Sequence, residues 1–152
     1  MTKYFFVIAF LFLLDRLSKT LMFLDPTLSE KTGGFFELFV NKNIAFSLPL
    51  NYFILYPLIF LILFFLVWQW QKSFKQKSIL IWPWGLIIIG ALSNLLDRLR
   101  YGGVIDFINL QLPFTSVFNL ADAYISIAVV WIVWYLWFYR PEGNDSGIDK
   151  KA

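Results

Sequence analysis

Tyr52-Phe53-Ile54-Leu55-Tyr56-Pro57-Leu58-Ile59-Phe60-Leu61-Ile62-Leu63-Phe64-Phe65-Leu66-Val67-Trp68-Gln69-Trp70 contains no charged residue. A helix that crosses the hydrocarbon core of a bilayer needs about 20 mainly apolar residues, and this stretch supplies them. It decides the fold class: an integral membrane protein, mainly α. Composition agrees. The 152-residue chain is 59% hydrophobic and 21% aromatic, with a mean hydropathy of +0.67. Soluble domains are usually about 45–50% apolar.

Three more segments flank this one. The spacing predicts four transmembrane helices at about residues 4–24, 52–70, 79–96 and 120–139. They form one domain over residues 1–140. The first segment begins like a signal peptide but continues through Asp15-Arg16-Leu17-Ser18-Lys19 with no small-residue cleavage site, so it reads as a retained span. Lys3, the 71–78 loop with Lys72, Lys75 and Lys77, and Arg140, Lys150 and Lys151 then fall on one side. The positive-inside rule makes that side, with both termini, cytoplasmic. Loops 25–51 and 99–118 face outward. Trp68, Trp70, Trp82, Trp84 and Trp137 lie near segment ends, as an interfacial aromatic belt requires. The polar tail, 141–152, reads as disordered.

The outer loops carry short strand patterns. Residues 34–41 and 45–48 read as strands around an Asn-rich turn, and 104–108 reads as another after the Gly102-Gly103 turn signal. A small sheet on the outer face follows.

The chain has no Cys and no His. This excludes Ser-His-Asp and Cys-His catalysis, Cys/His zinc sites and disulfides. No cofactor or metal is expected, because no clustered Asp/Glu motif supports one. The net charge is only +3 and the basic residues are dispersed, so nucleic acid is not expected as a partner.

The polar residues inside apolar sequence are the candidate site. A charge in hydrocarbon costs roughly 2.5–3.5 kcal/mol on insertion scales, so it marks function by default. Asp106 sits in Val104-Ile105-Asp106-Phe107-Ile108, where a strand interior disfavours Asp. Asp122 sits in Phe118-Asn119-Leu120-Ala121-Asp122, at the start of the fourth segment. Two converging carboxylates can share a proton, the working unit of an aspartic protease. Asn119 and Asp122 are also candidates to cap the helix, although one residue suffices for a cap. Asp15 and Lys19, four apart on one helical face, read as an ion pair that locks packing. Arg16 points elsewhere, to snorkel or to pack against a partner. Asn94, Asp97 and Arg98 share the outer end of the third segment. Either Arg98 neutralises Asp97, or Arg98 and Asn94 donate to a peptide carbonyl.

Together these motifs resemble the lipoprotein signal peptidase (signal peptidase II) family. Asp15-Arg16-Leu17-Ser18-Lys19 resembles its Asp-x-x-Ser/Thr-Lys; Asn41-Lys42-Asn43-Ile44-Ala45-Phe46-Ser47 its Asn-x-Gly-x-Ala-Phe-Ser; Ser93-Asn94-Leu95-Leu96-Asp97-Arg98 with Val104-Ile105-Asp106-Phe107 its Gly-Asn-x-x-Asp-Arg and Val-x-Asp-Phe; and Phe118-Asn119-Leu120-Ala121-Asp122 its Phe-Asn-x-Ala-Asp. The resemblance implies four transmembrane helices topped by a small extracytoplasmic β-cradle, in the bacterial cytoplasmic (inner) membrane. It implies an aspartic endopeptidase that cleaves signal peptides from diacylglyceryl-modified prolipoproteins, N-terminal to the lipidated Cys. Membrane lipid and globomycin-type inhibitors are the further partners it implies. Asp106 and Asp122 take the place of the catalytic dyad. Asn41, Asn94, Arg98 and Asn119 take positions that hold substrate or brace the dyad, and Asp15, Lys19 and Asp97 are mainly structural. Asn43 and Ser93 stand where the family has Gly. The rival readings are a small four-span transporter or channel and a non-catalytic assembly subunit.

Overall fold

The computed structural model describes residues 2–25, 27–42, 52–113 and 115–139. The expected strand at 45–48, the Asn43 turn and the tail lie outside them.

The chain forms α1 (Thr2–Leu24), the short α2 (Leu28–Lys31), β1 (Phe36–Asn41), α3 (Tyr52–Lys75), α4 (Ile81–Tyr101), β2 (Val104–Ile108) and α5 (Leu120–Phe138). Among the described residues, two helices are long and apolar enough to cross a membrane, at Phe53–Lys75 and Leu120–Phe138, with mean hydropathies of 2.2 and 1.6. Their side chains face outward: Phe53 is 88% exposed and Trp137 78%. Exposed apolar surface on this scale suits a lipid surround, where helices satisfy their own backbone groups. The charged helices α1 and α4 differ, because they turn their ionic side chains toward each other.

Ring contacts set the helix directions. Tyr4 meets Trp82 at 4.4 Å and Phe5 meets Trp70 at 6.0 Å, so the start of α1 lies beside the start of α4 and the end of α3. Phe23 stacks on Tyr101 at 5.3 Å at the far ends of α1 and α4. Helices α1 and α4 are therefore parallel, and α3 runs against them. Leu63 and Leu66 of α3 pack on Leu95 of α4. Helix α5 approaches α4 at Gly90, where a Cβ would lie 2.7 Å from the Ala121 carbonyl oxygen and 2.8 Å from Ile125 Cγ1. Only glycine permits that approach.

Helix α4 runs past the expected limit of 96 to Tyr101. It stops at Gly102, whose left-handed φ of +69° suits a residue without Cβ, and whose N–H donates to the Arg98 carbonyl. The chain then enters β2 directly, so β2 sits over the end of the helix. Strands β1 and β2 pair antiparallel, with Phe39 opposite Asp106 and Asn41 opposite Val104. An irregularity falls between Phe36 and Phe39. Phe118 adds a backbone link that the sequence did not suggest. Its carbonyl accepts from Phe107 N at 3.0 Å and Ile108 N at 2.8 Å, and its N–H donates to the Ile108 carbonyl at 3.1 Å. This link ties the end of β2 to the residue before Asn119.

Candidate active site

The site stands on a buried ionic layer. The Lys19 ammonium lies 3.0 Å from Asp15 Oδ2 and 2.8 Å from Asp97 Oδ2, and donates to Asn94 Oδ1 at 3.0 Å. An ammonium has three donors, and these are three acceptors. Arg16 does not snorkel. It turns inward and donates to Asp97 Oδ1 at 2.5 Å and Ser93 Oγ at 3.0 Å. Ser93 Oγ in turn donates to Asp15 Oδ2 at 2.5 Å. Two anions thus meet two cations, and the side chains of Asp15, Lys19 and Asp97 are at most 1% exposed. Pairing offsets a desolvation cost that an unpaired charge would leave standing.

This layer also reaches the backbone. Asp15 Oδ1 accepts from Ala121 N at 2.9 Å, satisfying a free donor in the first turn of α5. Asp97 Oδ2 accepts from Ile105 N at 3.3 Å. The α1–α4 charges therefore fix where both β2 and α5 begin. Asp97 is neutralised by Lys19 and Arg16, not by Arg98. The Arg98 guanidinium is half-buried, makes a long 3.4 Å bond to the Asn94 carbonyl, and feels the charges of Asp122, Asp106 and Asp97. The expected neutralisation of Asp97 by Arg98 is corrected: Arg16 and Lys19 make the contacts to Asp97.

Above the ionic layer lie the two aspartates. Asn119 Nδ2 donates to Asp106 Oδ1 at 2.7 Å, and Asn119 N donates to Asp122 Oδ2 at 3.3 Å. One residue thus holds both carboxyl groups. Asn41 Nδ2 donates to Asp106 Oδ2 at 3.1 Å, and Asn94 Nδ2 to Asp122 Oδ1 at 2.7 Å. Asn119 Oδ1 accepts from Asp122 N at 3.0 Å, which closes a reciprocal capping box. The sequence argument that one capping residue suffices is therefore corrected: the box uses both, so capping alone accounts for Asp122's bond to Asn119 N. It does not account for Asn94 on its other oxygen.

Asp106 is 2% exposed. Burial, then the neighbouring Asp122 charge, push its pKa up to about 6, against the bonds from Asn41 and Asn119 that favour the anion. A carboxyl poised there can hold a proton near neutral pH and release it to a reacting group.

Of the expected residues, Asn41, Asn94, Asp106, Asn119 and Asp122 converge on one cluster, with Arg98 beside it. Asp15, Lys19 and Asp97 lie beneath. Of the two readings of Arg16, packing against a partner holds, but sequence reasoning did not name the partner and gave Ser93 no role in the ionic layer. Their partners lie across helices, so local spacing carried no signal for them.

Known proteins share this arrangement of elements. A solved bacterial membrane enzyme, determined in meso at 2.3 Å resolution, superposes with a TM-score of 0.70 at 18% identity, covering 98% of this chain and 96% of the other. A second, at 1.9 Å, gives a TM-score of 0.70 at 21% identity over 92% and 96%. The lipoprotein signal peptidase of Halothermothrix orenii is 30% identical over 144 residues, covering 91% of this chain and 97% of that one. That of Thermodesulfovibrio yellowstonii is 39% identical over 122 residues, covering 79% and 75%. The family model described as signal peptidase (SPase) II matches residues 7–138, and the chain belongs to that family.

Proposed function

We propose that Asp106 and Asp122 are the catalytic pair of this membrane protease. The family membership makes the chain a signal peptidase of lipoprotein precursors. The substrate we propose is a diacylglyceryl-modified prolipoprotein, cut N-terminal to its lipidated Cys. The observation that carries the assignment is the grip of Asn119 on both carboxyl groups.

The reaction is acid–base hydrolysis without a covalent intermediate. One aspartate, ionised, takes a proton from water as its oxygen bonds to the scissile carbonyl carbon. The other, protonated, gives its proton to the carbonyl oxygen. As the C–N bond of the tetrahedral intermediate breaks, the aspartate that took the water proton gives it to the leaving amine, and one hydroxyl re-forms the carbonyl by returning its proton to the other aspartate. Each proton relay of this kind contributes about 10²–10⁴-fold. Asn94 and Asn119 brace the pair, and Arg98 and Asn41 position the peptide.

The topology we propose has four spans, with both termini cytoplasmic and the site near the outer face. Neutralisation of Asp15, Arg16, Lys19 and Asp97 among themselves supports α1 and α4 as spans despite their charges. Lys72, Lys75 and Lys77 lie at the end of the bundle opposite the sheet. Purified protein in liposomes, given a lipidated precursor, should release a product beginning at the modified Cys, and globomycin should block release. An intact precursor under conditions where the protein is folded would refute the proposal. A transporter or an assembly subunit predicts that outcome.

A further inference from the structure

Lys19 has a role beyond the ionic layer. An ammonium carries only donors, so the atom of Asn94 that faces it at 3.0 Å is the amide oxygen. The NH2 end of Asn94 then faces Asp122 Oδ1 at 2.7 Å. A backbone N–H fixes the neighbouring amide by the same logic. Asp122 N points at Asn119 Oδ1, so Asn119 Nδ2 faces Asp106 Oδ1 and, at 3.3 Å, Asn94 Oδ1. Both amide orientations follow from groups that can only donate.

We infer that Lys19 is a positioning residue for the reaction: by locking the Asn94 amide it presents a donor and a nearby positive charge to Asp122, which makes Asp122 the ionised member that takes the proton from water and Asp106 the member that carries one. The inference rests on the aspartate-pair reading and divides the labour within it.

The surroundings of the two carboxyl groups differ in the required sense. Asp122 lies in the first turn of α5, where the positive end of the helix favours an anion. Each of its oxygens accepts from a fixed donor, Asn94 Nδ2 on one side and Asn119 N on the other. The Lys19 ammonium is one amide away. Asp106 lies on a strand and meets α5 only through the side chain of its N-cap, Asn119; its two side-chain partners, Asn119 and Asn41, are neutral amides. The charged groups facing the pair are Lys19 and Asp15 from α1 and Arg98 from α4. Tyr56 of α3 faces Arg98. Asp15 and Asp97 share Lys19 with Asn94, and Arg16 takes part of the Asp97 charge. Lys19 is the cation that joins these groups to Asp122 by hydrogen bonds.

The test is the pH profile of kcat/KM on a synthetic lipopeptide carrying a diacylglyceryl-Cys at the scissile junction. Its acidic limb reports the member that must be ionised. Lys19→Met alone leaves a buried negative charge and endangers folding, so the informative variant is Asp15→Asn/Lys19→Met, which removes one charge of each sign. Its acidic limb should move up by as much as about one pH unit, because the cation joined to Asp122 through Asn94 is lost while loss of the Asp15 anion cancels only part of the effect. Asp15→Asn alone, which leaves Lys19 more positive toward Asp122, should not move the limb up. A purely structural Lys19 would lower kcat and leave the limb in place, and that result overturns the inference. A second measurement needs no Lys19 variant. The infrared band of a protonated carboxyl at pH 5 should disappear in Asp106→Asn and persist in Asp122→Asn, and the reverse pattern also overturns it. Cleavage by either single Asn variant would instead refute the aspartate pair itself.

Discussion

Replacing Asp106 by Asn should abolish cleavage and stabilise the fold at neutral pH. Asp106 is almost fully buried, and burial together with the Asp122 charge raises its pKa from 3.8 to about 6. A raised carboxyl pKa means that the folded state binds the proton more tightly than the unfolded state. The stability this confers is complete below about pH 4 and is lost as pH rises through about 6. Above that, the folded protein carries a buried anion that costs about 3 kcal/mol relative to the unfolded chain, at 1.36 kcal/mol per pH unit. Asparagine removes this cost. Its own amide must still fit: Asn119 is fixed as a donor, so the new side chain accepts there and turns its NH2 toward Asn41, where a lost hydrogen bond costs about 1 kcal/mol. The net gain is about 2 kcal/mol, or roughly 4–8 °C in unfolding midpoint for a chain of this size. Thermal unfolding in detergent micelles at one scan rate checks it, at pH 8 and at pH 4. The variant should melt higher at pH 8, and the difference should largely vanish at pH 4. Equal or lower melting at pH 8 would show that Asp106 is not under electrostatic strain in the folded protein.

Three further substitutions probe the rest of the scaffold. Asn119→Ala removes the helix cap, at about 1 kcal/mol, and the donor shared by both carboxyl groups; kcat/KM should fall at least about 10²-fold while far-ultraviolet circular dichroism stays helical. Ser93→Ala deletes the hydroxyl between Asp15 and Arg16 and should cost about 2 kcal/mol, since bonds to charged groups run at about 1.5–3. The same change in an Arg16→Ala background should cost clearly less, because the two act as one network. Gly90→Val places a Cβ against the Ala121 carbonyl and should lower the unfolding midpoint by an amount equivalent to about 1–3 kcal/mol or more.

The apolar runs of α3 and α5 were legible because lipid-facing helices need nothing except length and hydropathy. The β2 strand was legible at Val104–Ile108 from its pattern and its glycine turn. The residues of the candidate site stood out as polar anomalies: Asp106 in a strand interior, and Asp15 and Lys19 in an apolar helix. The partnerships were not. Arg16 pairs with Asp97 across two helices, and Ser93 joins them because α1 and α4 run parallel at close range. No spacing within one helix encodes that. Asn119 showed a cap signal, but its amide bridging Asp106 depends on the Phe118 link to β2, which comes from a single residue's backbone. The continuation of α4 to Tyr101 was hidden by its polar composition, since Asp97 and Arg98 look like a loop until their partners are known.

The central claim is that Asp106 and Asp122 act together, and one experiment tests it most directly. Purified Asp106→Asn and Asp122→Asn proteins, both shown to be folded by thermal unfolding, are each incubated with a diacylglyceryl-modified precursor beside the parent protein, and the N-terminus of any product is read by mass spectrometry. The account predicts a product beginning at the lipidated Cys from the parent protein and none from either variant. Cleavage at that junction by either folded variant would contradict it.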